Sequence, residues 1–280
     1  MTTQRYLGID LAWGVHTLQR PANETALVLL DDGGRVLADG WCRGVAAVIE
    51  WIEEHVVGGD VLAFVDAPLV VTNASGQRTC EKQVGQRYWR SQVFANSTSL
   101  GSAHDAGVRL RAGLEQRGWR YDDGWNGPMS GGRVVSECYP YTAIVGTDEL
   151  DYAERPRYKR PPRGVRAGEW SRLRAQECDE LIRRVAALRG SPVPLDLQSH
   201  AITAELVESP SPLSARHYKH REDLLDAALC AWTAAYWRHY GWDRCQVLGD
   251  DDPSASHNAT IIAPAKPEQR PTAAKVPATA

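Results

Sequence analysis

The sequence predicts an α/β protein built on a mixed sheet, and three features predict it. Short apolar runs come first, two of them joined by a tight glycine turn. An amphipathic segment then leads into a second apolar strand, the pattern of a parallel crossover. After residue 140 helical periodicity takes over.

"RYLGIDLAW" reads as the first strand, bounded by Gly14. "TALVLLDDGGRVLADGWC" reads as two strands around Asp31-Asp32-Gly33-Gly34, which is strong hairpin chemistry. Residues 44–56 place Val45, Val48, Ile49, Ile52 and Val56 at helical spacing. "DVLAFVDAP", 60–68, is a buried strand ended by Pro68 and expected parallel to the first. Residues 69–131 follow no simple alternation and read as a cap-like insertion, with one helix around 104–117. A strand at roughly 132–138 and a helix at 140–146 follow. Further helices are expected at 169–190, near 198–207, and at 220–241, the last ending at Gly241. "RCQVLGD" and "ATIIAPA" suit a closing hairpin. Residues 1–265 are thus expected to form one domain with a mixed five-stranded sheet and flanking helices. From Lys266 to 280 the Pro/Ala/Thr-rich tail is expected to be disordered.

Composition excludes several classes. The chain is 43% hydrophobic and 24% charged, ordinary for a globular protein. No apolar run reaches membrane-spanning length, and "MTTQRYLGID" lacks the apolar core of a signal peptide, so the expectation is a cytoplasmic protein with reduced thiols. The six cysteines form no CxxC pair, against a structural zinc site. HExxH, GxSxG and GxxxxGK[ST] spacings are absent.

The unusual feature is acidic. Asp10 and Asp66 each stand at the inner end of an apolar strand, Glu137 ends a third, and Asp226 lies inside the apolar helix "LLDAALCAW". Each has a plain use as a turn, strand-end or helix-start acid. Together they would converge: parallel strands bring Asp10 and Asp66 to one sheet edge, where α/β sheets carry their sites. Asp223 and Asp226, three apart, share a helix face. Clustered carboxylates repel unless a cation sits among them, and all-oxygen donors suit Mg²⁺ or Mn²⁺. Two such ions stabilise the attacking and leaving oxygens of a phosphoryl transfer.

A net charge of −3 does not announce a nucleic-acid binder, but "RPRYKRPPRGVR", 155–166, carries six cations and no acid. It is either a solvated loop or an arm that meets phosphates, through Arg157, Lys159, Arg160 and Arg163. Lys219 at the start of the last helix has the same two uses. Trp89, Trp119 and Trp125, with Arg87 and Arg90 nearby, either pack in the core or stack bases.

"GIDLAWG", "FVDAPL", "ECYPYTA" and "HREDLLDAALCAW" together resemble an uncharacterised family described as predicted RNase H-like nucleases (domain of unknown function 429). The resemblance spans about residues 6–263. It implies an RNase H-like fold and a divalent-metal-dependent nuclease acting on DNA or RNA. Its catalytic acids would be Asp10, Asp66, Asp223 and Asp226, with Glu137 in the family's Glu-x-x-Pro motif. Asp10, Asp66 and Asp226 would hold the metal. Two other functions are weighed against this. One is an actin-like-fold phosphotransferase, which normally carries two copies of the fold where this chain has one set of motifs. The other is a catalytically inactive nucleic-acid-binding protein of the same fold.

Overall fold

The computed structural model describes residues 4–13, 23–102, 105–161 and 164–271. Strand β1 is Gln4–Asp10, β2 Glu24–Asp31 and β3 Val36–Arg43. These three are antiparallel neighbours. The β2–β3 turn is the expected one. Asp31 Oδ1 accepts from the amides of Gly33 and Arg35 at 3.0 and 2.9 Å, and Gly34 takes φ +74°. Helix α1 (Val45–His55) then carries the chain to β4 (Asp60–Val65), which lies parallel to β1 with Ile9 opposite Val65.

The next segment is richer than expected. It holds α2 (Thr79–Tyr88), α3 (Ala106–Glu115) and a two-residue strand, β5 (Arg120–Tyr121). Strand β6 is Arg133–Glu137, parallel to both β4 and β5. The sheet therefore has six strands, in the order β3–β2–β1–β4–β6–β5, where five were expected. The sixth is too short to leave a period-two signal. Nor is the segment a detached cap: Leu110 and Leu114 of α3 pack with α1, and Tyr88 of α2 donates to the carbonyl of Pro264 at 2.6 Å.

Helices α4 (Pro140–Gly146), α5 (Ala167–Ala187), α6 (Ala201–Glu208) and α7 (Ala215–Tyr240) follow. Strands β7 (Cys245–Gly249) and β8 (Thr260–Pro264) pair antiparallel as a separate ladder. Strand alternation divides the core. Leu7, Ile9, Ala63, Val65 and Val135 face α1 and α3, whereas Tyr6, Leu62, Phe64 and Val134 face α4, α5 and α7.

The expected tail begins too early. Lys266–Pro271 are ordered, because Gln269 is buried: its Nε2 donates to the carbonyl of Val145 at 3.1 Å, and its own carbonyl accepts from Gln246 at 3.2 Å. Residues 272–280 lie outside the described residues. Among the described residues no helix is long and apolar enough to cross a membrane.

Candidate functional site

One glycine sets the geometry. A Cβ on Gly8 would stand 1.9 Å from the carbonyl oxygen of Ala227 and 2.3 Å from the amide of Ala231. Helix α7 therefore lies directly on the backbone of β1, on a seam of small residues that includes Ala227, Ala228 and Ala231. Asp10 is two residues beyond Gly8 and so points to the same face. Asp223 and Asp226 lie about one turn and one residue, respectively, before Ala227 on that helix. The amide of Asp66 donates to the carbonyl of Ile9 at 2.9 Å, which sets the end of β4 beside the end of β1. The sequence thus brings Asp10, Asp66 and Asp223 to one pocket of about 460 Å³.

The pocket has an acidic floor and a basic wall. Glu222 and Glu24 add to the acids, and Arg155, Lys159, Arg160, Arg174 and Lys219 supply the cations. Phe94, more than half exposed, stands on the rim with Asn96, and Tyr139 and Tyr141 line one side. These aromatic and amide positions escaped the sequence reading. Tyr139 and Tyr141 carried a signal, since they follow directly on a strand that ends in the expected site; Phe94 and Asn96 carried none.

The acids are held above their ordinary range. Burial is the main cause at Asp10, with Asp223 and Asp226 adding to it and Lys159 and Lys219 opposing. Burial likewise raises Asp66, opposed by Lys159 and reinforced by Asp10 and Asp226. Asp223 is pushed up to about 6 by burial, against Lys219 and a hydrogen bond with Asp10. Lys219 Nζ stands 2.5 Å from Asp223 and 3.0 Å from Glu222, so it pairs with this side of the floor while its side chain stays more than half exposed.

Asp226 is placed differently from the expectation. Its side chain has no exposure, its Oδ1 accepts from the hydroxyl of Tyr158 at 2.7 Å, and its other oxygen pairs with the ammonium of Lys159. Burial lowers the proton affinity of that ammonium, but Asp226, Asp10, Asp66 and Glu222 outweigh it and keep it firmly charged. A lysine thus takes the cation's place among the acids. Among the described residues, no three or more His, Cys, Asp or Glu side chains form a set that could hold a metal ion.

Glu137 is not in the pocket. Val65 and Glu137 are register partners, and Glu137 lines a separate, smaller pocket with Asp66, Arg78 and Glu81. There Arg78 grips it with two hydrogen bonds of 2.8 and 2.6 Å, and the amide of Leu69 donates to it at 2.9 Å. Arg78 also bonds Glu81 at 2.9 Å, and all three side chains are buried. Both oxygens of Glu137 are used in holding the fold.

The basic run divides as well. Arg155 and Arg160 line the pocket, with Arg155 over the ring of Tyr141 at 5.5 Å. Arg157 turns away, its amide bonded to Glu177 at 2.9 Å and its guanidinium to Gln92. Arg163 lies outside the described residues. Of the three tryptophans considered for base stacking, Trp119 is core, Trp89 is exposed beneath Arg90, and Trp125 stacks on Trp242; the tryptophan that lines the pocket is Trp13.

Searches of curated proteins and of solved structures returned no match. A family profile does match: the one described as "Protein of unknown function (DUF429)", over residues 8–253. That match takes in Asp10, Asp66, Lys159, Asp223 and Asp226 and most of the 280 residues, and the chain therefore belongs to the DUF429 family.

Proposed function

We propose that this pocket hydrolyses phosphodiester bonds in DNA or RNA, in an RNase H-like arrangement of carboxylates that works with Mg²⁺ or Mn²⁺. The observation that carries the reading is the acid floor of Asp10, Asp66 and Asp223 under a wall of Arg155, Arg160 and Arg174. Acids alone would repel a phosphodiester, and cations alone would bind one without cleaving it. The hard oxygens of Asp10, Asp66 and Asp223 suit a divalent cation in chemistry, and their mutual repulsion favours one. No three such side chains among the described residues are arranged to hold the ion as they stand, so the metal-dependent reading requires Asp10, Asp66 and Asp223 to draw together around it, Asp226 being bonded to Tyr158 and Lys159. When bound, such an ion supplies an activated water and neutralises charge on the phosphoryl group. The chain's own contribution is positional. Guanidinium groups orient phosphate oxygens by paired hydrogen bonds. Phe94 and Tyr139 offer aromatic faces on which bases stack. Lys219, bonded to Asp223 and Glu222, keeps those carboxylates directed into the pocket.

The test uses labelled single- and double-stranded DNA and RNA with millimolar Mn²⁺ or Mg²⁺. Cleavage by the parent, lost in Asp10→Asn and lost with chelator, is the expected result. Binding without cleavage in every buffer would support the inactive nucleic-acid-binding reading. No binding and no cleavage would remove nucleic acid as the substrate.

A further inference from the structure

We infer that the pocket accepts one unpaired nucleotide at a time, with its base on Phe94 and its phosphate against Arg155, so that the substrate is a single strand or a frayed end and not an intact duplex. This rests on the nucleic-acid reading above and names its substrate class; it concerns binding alone.

Two segments build the receiving face, and the fold laces them together. The amide of Arg155 donates to the carbonyl of Ser91 at 3.0 Å. Arg157 bonds the side chain of Gln92, and Arg160 donates to Oδ1 of Asn96 at 3.2 Å. The backbone around Phe94 is pinned as well. The amide of Val93 donates to the carbonyl of Tyr88 at 3.2 Å, the hydroxyl of Tyr139 donates to the carbonyl of Phe94 at 3.2 Å, and Gln77 donates to that of Ala95 at 3.2 Å. The ring itself stays 55% exposed on the pocket rim. Single exposed apolar side chains are common on protein surfaces. What sets Phe94 apart is its fixed backbone and the cation on the segment laced to it.

That cation is Arg155. Its guanidinium lines the pocket over the ring of Tyr141 and makes no hydrogen bond or ion pair with another described residue. Its Nε is buried and unbonded. A buried donor without a partner is costly, and a phosphate oxygen is a partner that a guanidinium binds well. Lys159 and Lys219, by contrast, are already paired with acids of the floor.

The chemistry then selects unpaired nucleic acid. An aromatic ring stacks on a base only where the base face is open, and every base has such a face once it leaves its helix. A duplex offers only base edges in its grooves. The acids also lie deep, with Asp66 9% and Asp223 4% exposed. A phosphodiester reaches them by entering the pocket, whose volume of about 460 Å³ is that of a small-ligand site. One nucleotide suits such a site; a base pair would bring both strands.

The test is fluorescence anisotropy of the full chain with one labelled sequence in three forms: single strand, blunt duplex, and duplex with a single-stranded overhang, each as DNA and as RNA. It is run in chelator, where metal-dependent cleavage cannot shorten the probe, and repeated with Mg²⁺. The single strand and the overhang should bind more tightly than the blunt duplex by roughly tenfold or more, the effect of one stacked base. Phe94→Ala should weaken the single strand by a similar factor and leave the duplex unchanged. Arg155→Gln should lower the log–log salt slope for the single strand by about 0.7, one phosphate contact. Equal affinity for single strand and duplex, or tighter binding of the duplex, overturns the inference and leaves the nucleic-acid reading standing. Single-strand affinity that Phe94→Ala does not change has the same meaning. If no form binds in either buffer, both readings fail. Should Arg155→Gln not fold, the three forms measured on the parent and on Phe94→Ala decide alone.

Discussion

Lys159 reaches from an irregular loop to Asp226, a helix carboxylate with no exposed surface, and the residue before it, Tyr158, donates to the same carboxylate. Two consecutive residues of the 155–166 segment are thereby committed to one acid. Removing either partner would leave a buried charge unmatched. The arrangement sets positive charge beside a pocket floor of Asp10, Asp66 and Asp223, and it ties the basic run to the acids it was expected merely to accompany.

The pH dependence of stability has a definite sign. The carboxyl of Asp223 sits at about 6 in the folded chain, against about 3.9 when unfolded. Between those values the folded chain keeps a proton that the unfolded chain has lost, so this group favours folding less as pH rises. The loss amounts to roughly 3 kcal/mol across the window. Asp223→Asn should therefore gain stability relative to the parent between about pH 4 and pH 6, in chelator. Paired denaturant titrations across that range measure it. A constant difference would show that burial does not raise Asp223.

Gly8→Ala should be costly. Its Cβ would overlap the backbone of α7, and forced overpacking costs about 1–3 kcal/mol or more. The same change at Gly168, where a Cβ meets nothing within 4 Å, should be neutral or mildly stabilising. The two melting temperatures, measured side by side, check the claim. If Gly8→Ala matched the parent, the close seam between β1 and α7 would be refuted.

Arg78→Met strands Glu137 and Glu81 in the core. Breaking a buried pair from one side costs about 3–5 kcal/mol, and urea unfolding should register it. Glu137→Gln should lose stability too, since its oxygens hold Arg78 and the amide of Leu69. A glutamine variant that keeps full stability but loses cleavage would return Glu137 to the catalytic set.

The two arginines that flank Tyr158 and Lys159 should behave differently. Arg160→Ser should flatten the dependence of nucleic-acid affinity on salt by roughly 0.7–0.9 in log–log slope, one phosphate contact. Arg157→Ser should leave the slope unchanged, because the guanidinium of Arg157 bonds Gln92 and does not line the pocket. Equal slopes for both variants would mean that lining the pocket does not decide phosphate contact.

Truncation should separate the last residues into two parts. Ending the chain after Pro271 should shift the melting temperature little. Ending it after Ala265 removes buried Gln269 and its bonds to Val145 and Gln246, and Arg270 with its bond to Trp242 at 3.2 Å. Each lost hydrogen bond is worth about 0.5–1.5 kcal/mol, so a drop of several degrees is expected.

Much of the fold was legible because periodicity is a local signal. Short apolar runs marked β1, β2 and β4, helical spacing marked α1 and α7, and Asp-Asp-Gly-Gly marked the hairpin turn. Asp10 and Asp66 stood out for the same reason: a carboxylate that breaks an apolar strand is visible within nine residues. Contacts between distant segments were not legible. Arg78 meets Glu137 across 59 residues and Tyr158 meets Asp226 across 68, and no spacing rule links them. Packing alone gave Glu137 to Arg78 and kept it out of the larger pocket, and burial alone made Gln269 part of the core when its surrounding composition resembled a loose tail. The sequence by itself determined which acids end the strands. Only the tertiary structure decided which of them share a pocket and that a lysine stands among them, because a charge finds its partner through space, at a distance fixed by packing and not by position along the chain.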